Sequence, residues 1–422
     1  MTKSILKRTV AIASAVAVIL SCCFVTTFAA EGDVAQIGNV GYKTLNEAVK
    51  NVKDGETITV LADIDNATGM AVPSGSNFTI DFDGHTYTLI GPGAGSTGTE
   101  TNGFQLLKDS NITFRDGVIE IAPNANNIKR IIQNYANLTL ENMTFYSANQ
   151  AGGENYALSF NNGDIVFKGN TSVKSSSDDI IAFDICKFAS YPSAKVTFAE
   201  DYSGSVNGKI VYDSPNADTH KLIINGNGTF GTIEATDRST ENPKIDISGG
   251  TFENINTNVN ITATEVAKVE TNGNVSTVVG LSNINNALTN ASEGTVVTMI
   301  KASEGLELKV PAGIEVSNDS VNNIVVNDTE LAQGETVTVT EPTEPTEPVN
   351  PDNPDNPQDN PSTDKPATGD QSQTTGDKTD ADKVADSDSP KTGDDTMLLG
   401  YVILMLAALG IGGTLVVNRK KN

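Results

Sequence analysis

The chain has no tryptophan, only two histidines (His85 and His220) and three cysteines in 422 residues, and its 28 Lys and Arg are outnumbered by 53 Asp and Glu. Each shortage excludes something. A net charge of −25 argues against nucleic acid as a partner, since such binders pool cations to neutralise phosphate. Two scattered imidazoles and few thiols leave no nitrogen–sulfur metal site, and no cofactor is expected. Cys22 and Cys23 fall in the N-terminal apolar segment. Cys186 is then the one thiol expected in the mature chain, and no internal disulfide can form. Without Trp the best sugar-stacking side chain is missing, which disfavours an ordinary glycan-binding platform.

What is present is concentrated first at the two ends. Lys3, Lys7 and Arg8 precede an apolar run from Val10 to Leu20, and small or polar residues follow to Ala30. That order is a secretory signal peptide over 1–29, with cleavage after Ala29. A lipoprotein reading of Leu20-Ser21-Cys22 ranks below it. At the other end stand Ser389-Pro390-Lys391-Thr392-Gly393, an uncharged stretch over 397–417, and Arg419-Lys420-Lys421. About 20 apolar residues at 1.5 Å each cross a bilayer as one helix, and the basic tail would stay cytoplasmic.

Motif, span and tail, in that order over 389–422, resemble the sorting signal of sortase substrates on Gram-positive cell walls. Ser389 stands where the commonest version has Leu. The resemblance implies that a sortase cysteine attacks the Thr392 carbonyl and passes Thr392 to a peptidoglycan amine, splitting one hard transfer into two easier ones. Sortase and peptidoglycan are the partners so implied, and the location is the cell wall after a transient stay in the membrane through 397–417. The bland alternative is a single-pass membrane protein with an accidental juxtamembrane motif. Pro366-Ala367-Thr368-Gly369 is such an accident, because no apolar span follows it.

Between ectodomain and anchor, 341–388 reads as a disordered stalk. Prolines at 342, 345, 348, 351, 354 and 357 repeat every third residue. Polyproline II has three residues per turn, so the rings line one face of an extended rod. To Pro361 it would reach on the order of 60 Å, and beyond it the composition is too polar to bury a core.

The middle is repetitive. Seven segments share an apolar-x-apolar pattern. They begin at Asn77, Asn111, Asn137, Asp164, Lys195, Lys221 and Lys244, at intervals of 34, 26, 27, 31, 26 and 23 residues. Alternation marks strands with one buried face, and a period in the twenties marks a coil in which each turn is one rung. Parallel pairing of successive rungs predicts a stack of Phe78, Ile112, Leu138, Ile165, Val196, Leu222 and Ile245. Thr44 to Glu47 is a capping box, followed by Leu45, Ala48, Val49 and Val52 at helical spacing. This predicts a helix covering the first open edge. The unit recurs: 281–291 matches 42–52, Gly294 matches Gly55, and Val310-Pro311-Ala312-Gly313 matches Val72-Pro73-Ser74-Gly75. A coil over 30–263 and a second, shorter helix-plus-strand module over 264–340 are expected.

Rung spacing and cap unit resemble the pectate-lyase-like proteins, particularly wall-anchored surface proteins of Gram-positive bacteria. The resemblance implies an all-β, right-handed parallel β-helix with short capping helices, completed by the stalk and a C-terminal transmembrane helix. It also raises polysaccharide cleavage, as a lyase or glycoside hydrolase, as the alternative function. That needs clustered carboxylates. Asp178 and Asp179 are adjacent and cooperate only if a turn holds them. Asp63 with Asp65, and Asp81 with Asp83, read as solvated edges near the cap. No catalytic or metal-binding residue is assigned.

One column points to binding instead. Aligning the rungs stacks Lys195, Lys221 and Lys244 outward, and lysines on neighbouring strands repel unless an acidic partner joins them. Glu200, Asp201 and Asp246 are the candidates to neutralise them, which would leave only a solvated face. Arg115, Glu141 and Lys168 should form a self-compensating ladder. The expected function is adhesion to, or interaction with, an unidentified extracellular glycan or protein ligand.

Overall fold

The computed structural model describes residues 30–147, 157–175, 177–214, 220–236, 243–256 and 258–341. Residues 1–29, expected to be a signal peptide, nearly all of the expected stalk over 341–388 and the expected sorting signal over 389–422 lie outside the described residues. Among those described, no helix is long and apolar enough to cross a membrane.

The chain is all-β, with a long, parallel-rich sheet and two short helices, an arrangement consistent with a β-helix. Successive turns contribute strands to three ladders. The first runs Thr57–Val60, Asn77–Asp81, Asn111–Ile121, Asn137–Tyr146, Gly163–Lys168, Ala194–Phe198, Lys221–Ile224 and Ile245–Ile247, every pairing parallel. Its register stacks Phe78, Ile112, Leu138, Ile165, Val196, Leu222 and Ile245 in the order the repeats predict. All seven are buried. Alternation is the cause: a one-residue slip would turn every one of these side chains out to water.

The second and third ladders interleave with the first. In the second, Thr229–Ala235 pairs with Gly250–Asn256 and sets Phe230 on Phe252, with ring centroids 5.0 Å apart. The third runs Met70–Val72, Asn102–Leu106, Arg130–Asn134, Leu158–Phe160, Ile181–Cys186 and Lys209–Asp213. Corners between the first and second ladders fall at Asp116, Asn142 and Gly169, all left-handed with φ of 56°, 53° and 55°. Asp, Asn and Gly tolerate that conformation best. The corners also bond to one another, as Asn142 Nδ2 donates to Asp116 Oδ1 at 3.0 Å and Asn142 Oδ1 accepts from the Asn170 amide at 3.1 Å.

Helix α1 (Leu45–Asn51) starts as the capping box predicts, with Thr44 Oγ1 accepting from the Glu47 amide at 3.1 Å. It buries Leu45, Ala48 and Val49. Helix α2 (Leu281–Thr289) recurs in the second module without that cap, because Gly280 occupies the N-cap position. There, Asn283 Nδ2 donates to the Val279 carbonyl at 2.8 Å instead. Gly75 and Gly313 share a left-handed turn, with φ of 80° and 85°.

The hairpin Val266–Thr271 and Asn274–Val279 joins the modules. Its second strand pairs antiparallel with Gly250–Asn256 and its first pairs antiparallel with Val296–Lys301. Adjacent residues serve different cores: Val266 and Val279 fill the first, Ala267 and Val278 the second. Lys301 clasps the joint, Nζ donating to the carbonyls of Ile261 and Ala263, both at 2.9 Å.

Near the base of the first coil, His220 is fully buried. Its Nδ1 accepts from the Ala194 amide at 3.2 Å and its carbonyl accepts from the Tyr212 hydroxyl at 2.7 Å. Burial, with Lys187 adding repulsion, lowers its pKa from 6.5 to about 4. Above pH 6.5 the ring is neutral folded and unfolded, so it makes stability no more pH-dependent. Below it the unfolded chain takes a proton that the folded one refuses, and stability falls by about 3 kcal/mol before levelling near pH 4. His220→Asn keeps a side-chain acceptor and removes the titration. Melting curves from pH 7.5 to 4 should show the wild type losing that increment relative to the variant; parallel curves would reject it.

Candidate functional site

A groove of about 540 Å³ lies across the third ladder. Its floor comes from positions that alternate with the core. Phe104, Ile132, Leu158 and Phe183 stack in register and are fully buried. One residue later Gln105, Gln133, Ser159 and Asp184 stack in the neighbouring row. The next residues of this parity, Leu107, Tyr135, Asn161 and Cys186, also line the groove. Gln133 Nε2 donates to Ser159 Oγ at 3.2 Å and to Asn161 Oδ1, and Asn161 Nδ2 donates to the Cys186 carbonyl at 3.1 Å. These bonds link three successive turns and fix the amide orientations.

One wall is aromatic. Tyr135 and Tyr191 stack with centroids 4.6 Å apart and planes at 26°, and Phe188 joins them while remaining 48% exposed. Lys187 Nζ donates to the Tyr191 carbonyl, holding the connecting turn. Burial first, then Tyr191, raises the Tyr135 pKa to about 12, so at neutral pH its hydroxyl is a neutral donor and acceptor. The opposite wall is the 95–101 loop, closed at its base by paired bonds between Ala94 and Asn102 of 2.6 and 2.9 Å. A Cβ on Gly95 would stand 2.2 Å from the Thr99 carbonyl, so the loop closes this tightly only without a side chain there. Arg130 adds a cation to the lining.

Flat rings lie beside fixed amides, hydroxyls and one buried carboxylate, a lining on which a ring can stack and to which hydroxyls can bond. The coil brings Tyr135 from one turn against Phe188 and Tyr191 from another. Sequence periodicity followed one strand per turn and so missed this groove. The available signal was Tyr135, Phe188 and Tyr191 lying off the repeat template, beside polar residues that alternate with core positions.

Asp178 and Asp179 sit in an exposed turn outside this groove. Asp63 Oδ1 accepts from the Thr86 amide at 2.9 Å and contacts His85 Nδ1 at 3.1 Å, which holds its carboxyl below the usual range. Asp81 pairs with Arg115 at 2.6 Å, and the register continues through Glu141 to Lys168, the expected alternating ladder. The lysines fall where the repeat sets them: Lys195 beside Lys221, with Lys244 next by extension. Lys195 and Lys221 are exposed and Lys244 is half-buried. Ser389, Pro390, Lys391, Thr392 and Gly393 lie outside the described residues. Among those described, no group of three or more His, Cys, Asp or Glu is placed to hold a metal ion.

The chain matches no family model, no curated protein and no solved structure.

Proposed function

We propose that this is a surface-displayed binding protein whose ectodomain is a right-handed parallel β-helix of the pectate-lyase-like kind. It is held to the cell wall through Thr392 after a transient stay in the membrane through 397–417, and a disordered stalk carries it outward. Its task is adhesion to an extracellular ligand. The observation that carries the reading is the stacked Tyr135–Tyr191 wall facing the Gln133–Asn161 floor. That combination suits a ring-bearing, hydroxyl-rich chain lying along the groove. The interlocked floor needs no ligand to hold its shape, so binding costs little ordering.

Cells displaying the full chain should capture members of a printed glycan array. Tyr191→Ala should weaken capture about tenfold, the loss of roughly 1.4 kcal/mol of stacking, at unchanged surface display. Capture that ignores Tyr191→Ala would remove the groove from the reading.

A further inference from the structure

The lysine row lies on the first ladder, away from the aromatic groove. Asp164 registers with Lys195, and Lys195 with Lys221. Neighbouring strands stand about 4.8 Å apart, so the two lysines rise from exposed positions on adjacent rungs. Elsewhere on this coil Arg115 reaches Asp81 at 2.6 Å and Lys209 reaches Glu234 at 3.4 Å. Among the described residues neither Lys195 nor Lys221 forms an ion pair, although acids outnumber bases almost two to one along the chain. Among the described residues none of the acids expected to neutralise them is within ion-pair distance of either. Asp246 Oδ1 accepts from Asn260 Nδ2 at 3.1 Å, and Glu200 and Asp201 sit in the exposed turn beyond Phe198.

The same line continues upward as a ladder of amides. Asn77, Asn111 and Asn137 are in register, Asn137 Nδ2 donating to Asn111 Oδ1 at 2.8 Å. A shallow groove of about 400 Å³ runs over them and reaches Asp164. An extended ligand therefore has a track along the coil axis, cationic at one end and polar but uncharged at the other. Asp164 stands between the two, in register with Lys195, and marks where the cationic end stops. A lysine ammonium is a compact point charge with three donors. It suits a tetrahedral oxyanion, whereas a planar carboxylate is matched best by the arginine fork.

We propose that Lys195 and Lys221 form a binding site for the phosphate groups of a phosphate-bearing polymer, both ammonium groups converging on one phosphate while the chain follows the asparagine ladder. A single phosphate on so open a face binds weakly; a polymer adds further contacts at high effective concentration.

The test uses the full chain in detergent and inorganic polyphosphate as the probe, with affinity read across a salt series. Wild type should bind, and Lys195→Gln with Lys221→Gln should weaken binding at least tenfold and flatten the salt dependence by about one to two in log–log slope. Its melting temperature should be unchanged or raised, since a repulsion is removed. Lys50→Gln with Lys53→Gln, on and just after helix α1, makes the same charge change elsewhere and should leave binding intact. Tyr191→Ala should also leave it intact, which separates this site from the groove. Absence of binding by wild type, equal loss in both double variants, or equal affinity for polygalacturonate would each overturn the assignment.

Discussion

Ile165→Asp should unfold the rungs around it, lowering stability by several kcal/mol and broadening the melting transition. Ile165 is fully buried and stacks between Leu138 and Val196. Its neighbours on both sides are aliphatic, so the carboxylate would find no partner there, and an unpaired charge in such a site costs far more than a lost methyl. Each rung supports the next, so the damage spreads along the coil and does not stay local. Thr113→Asp is the matched control. It lies in the same ladder, in register with Thr79 and Thr139, but points outward into a shallow polar groove. There the new charge stays hydrated, and a change within about 0.5 kcal/mol is expected. Thermal melts of both variants decide the point. Equal losses would mean that the inward and outward sets are not those described.

Replacing Thr392 should block attachment to the wall altogether. In the proposed anchoring the apolar span over 397–417 and the tail Arg419 to Lys421 only pause the chain in the membrane, long enough for a sortase to meet Ser389 to Gly393. The acyl-enzyme forms on the Thr392 carbonyl, and a pocket that accepts its branched side chain will not accept a larger one. Thr392→Phe should therefore leave the protein in the membrane fraction, extractable with detergent, with the C-terminal span still attached. Thr368→Phe in the decoy should change nothing, since no span holds that segment near the membrane. Mass spectrometry of muramidase-released wild type should find Thr392 joined to a peptidoglycan amine. Wild type recovered intact to Asn422 and soluble in detergent would leave a plain membrane-anchored protein.

Much of the scaffold is legible residue by residue. Val196 and Leu222 fall at matching positions of neighbouring repeats, and strict alternation leaves only one register that buries both. Thr44 and Glu47 mark the start of helix α1 through a local bond that needs no tertiary context. Helix α2 shows where such reading stops, for its start rests on Gly280 and an Asn283 bond to the Val279 carbonyl that no box motif signals. The fate of the lysines was not legible either. Three acids lie near them in sequence, yet among the described residues neither Lys195 nor Lys221 forms an ion pair.

The sequence by itself determined what depends on neighbours along the chain: which face of each first-ladder strand is apolar, which corner residues accept a left-handed backbone, and where the capping unit recurs. These follow from steric preference and from a period of two, both set within a few residues. Only the tertiary structure decided what lies side by side. Tyr135 meets Tyr191 across 56 residues of chain, and Gln133 meets Asn161 across 28. Those meetings depend on how many residues each turn spends between strands, because the loop lengths set which outward side chains arrive at the same height. Composition carries no trace of that, and so the groove emerges only when the coil is closed.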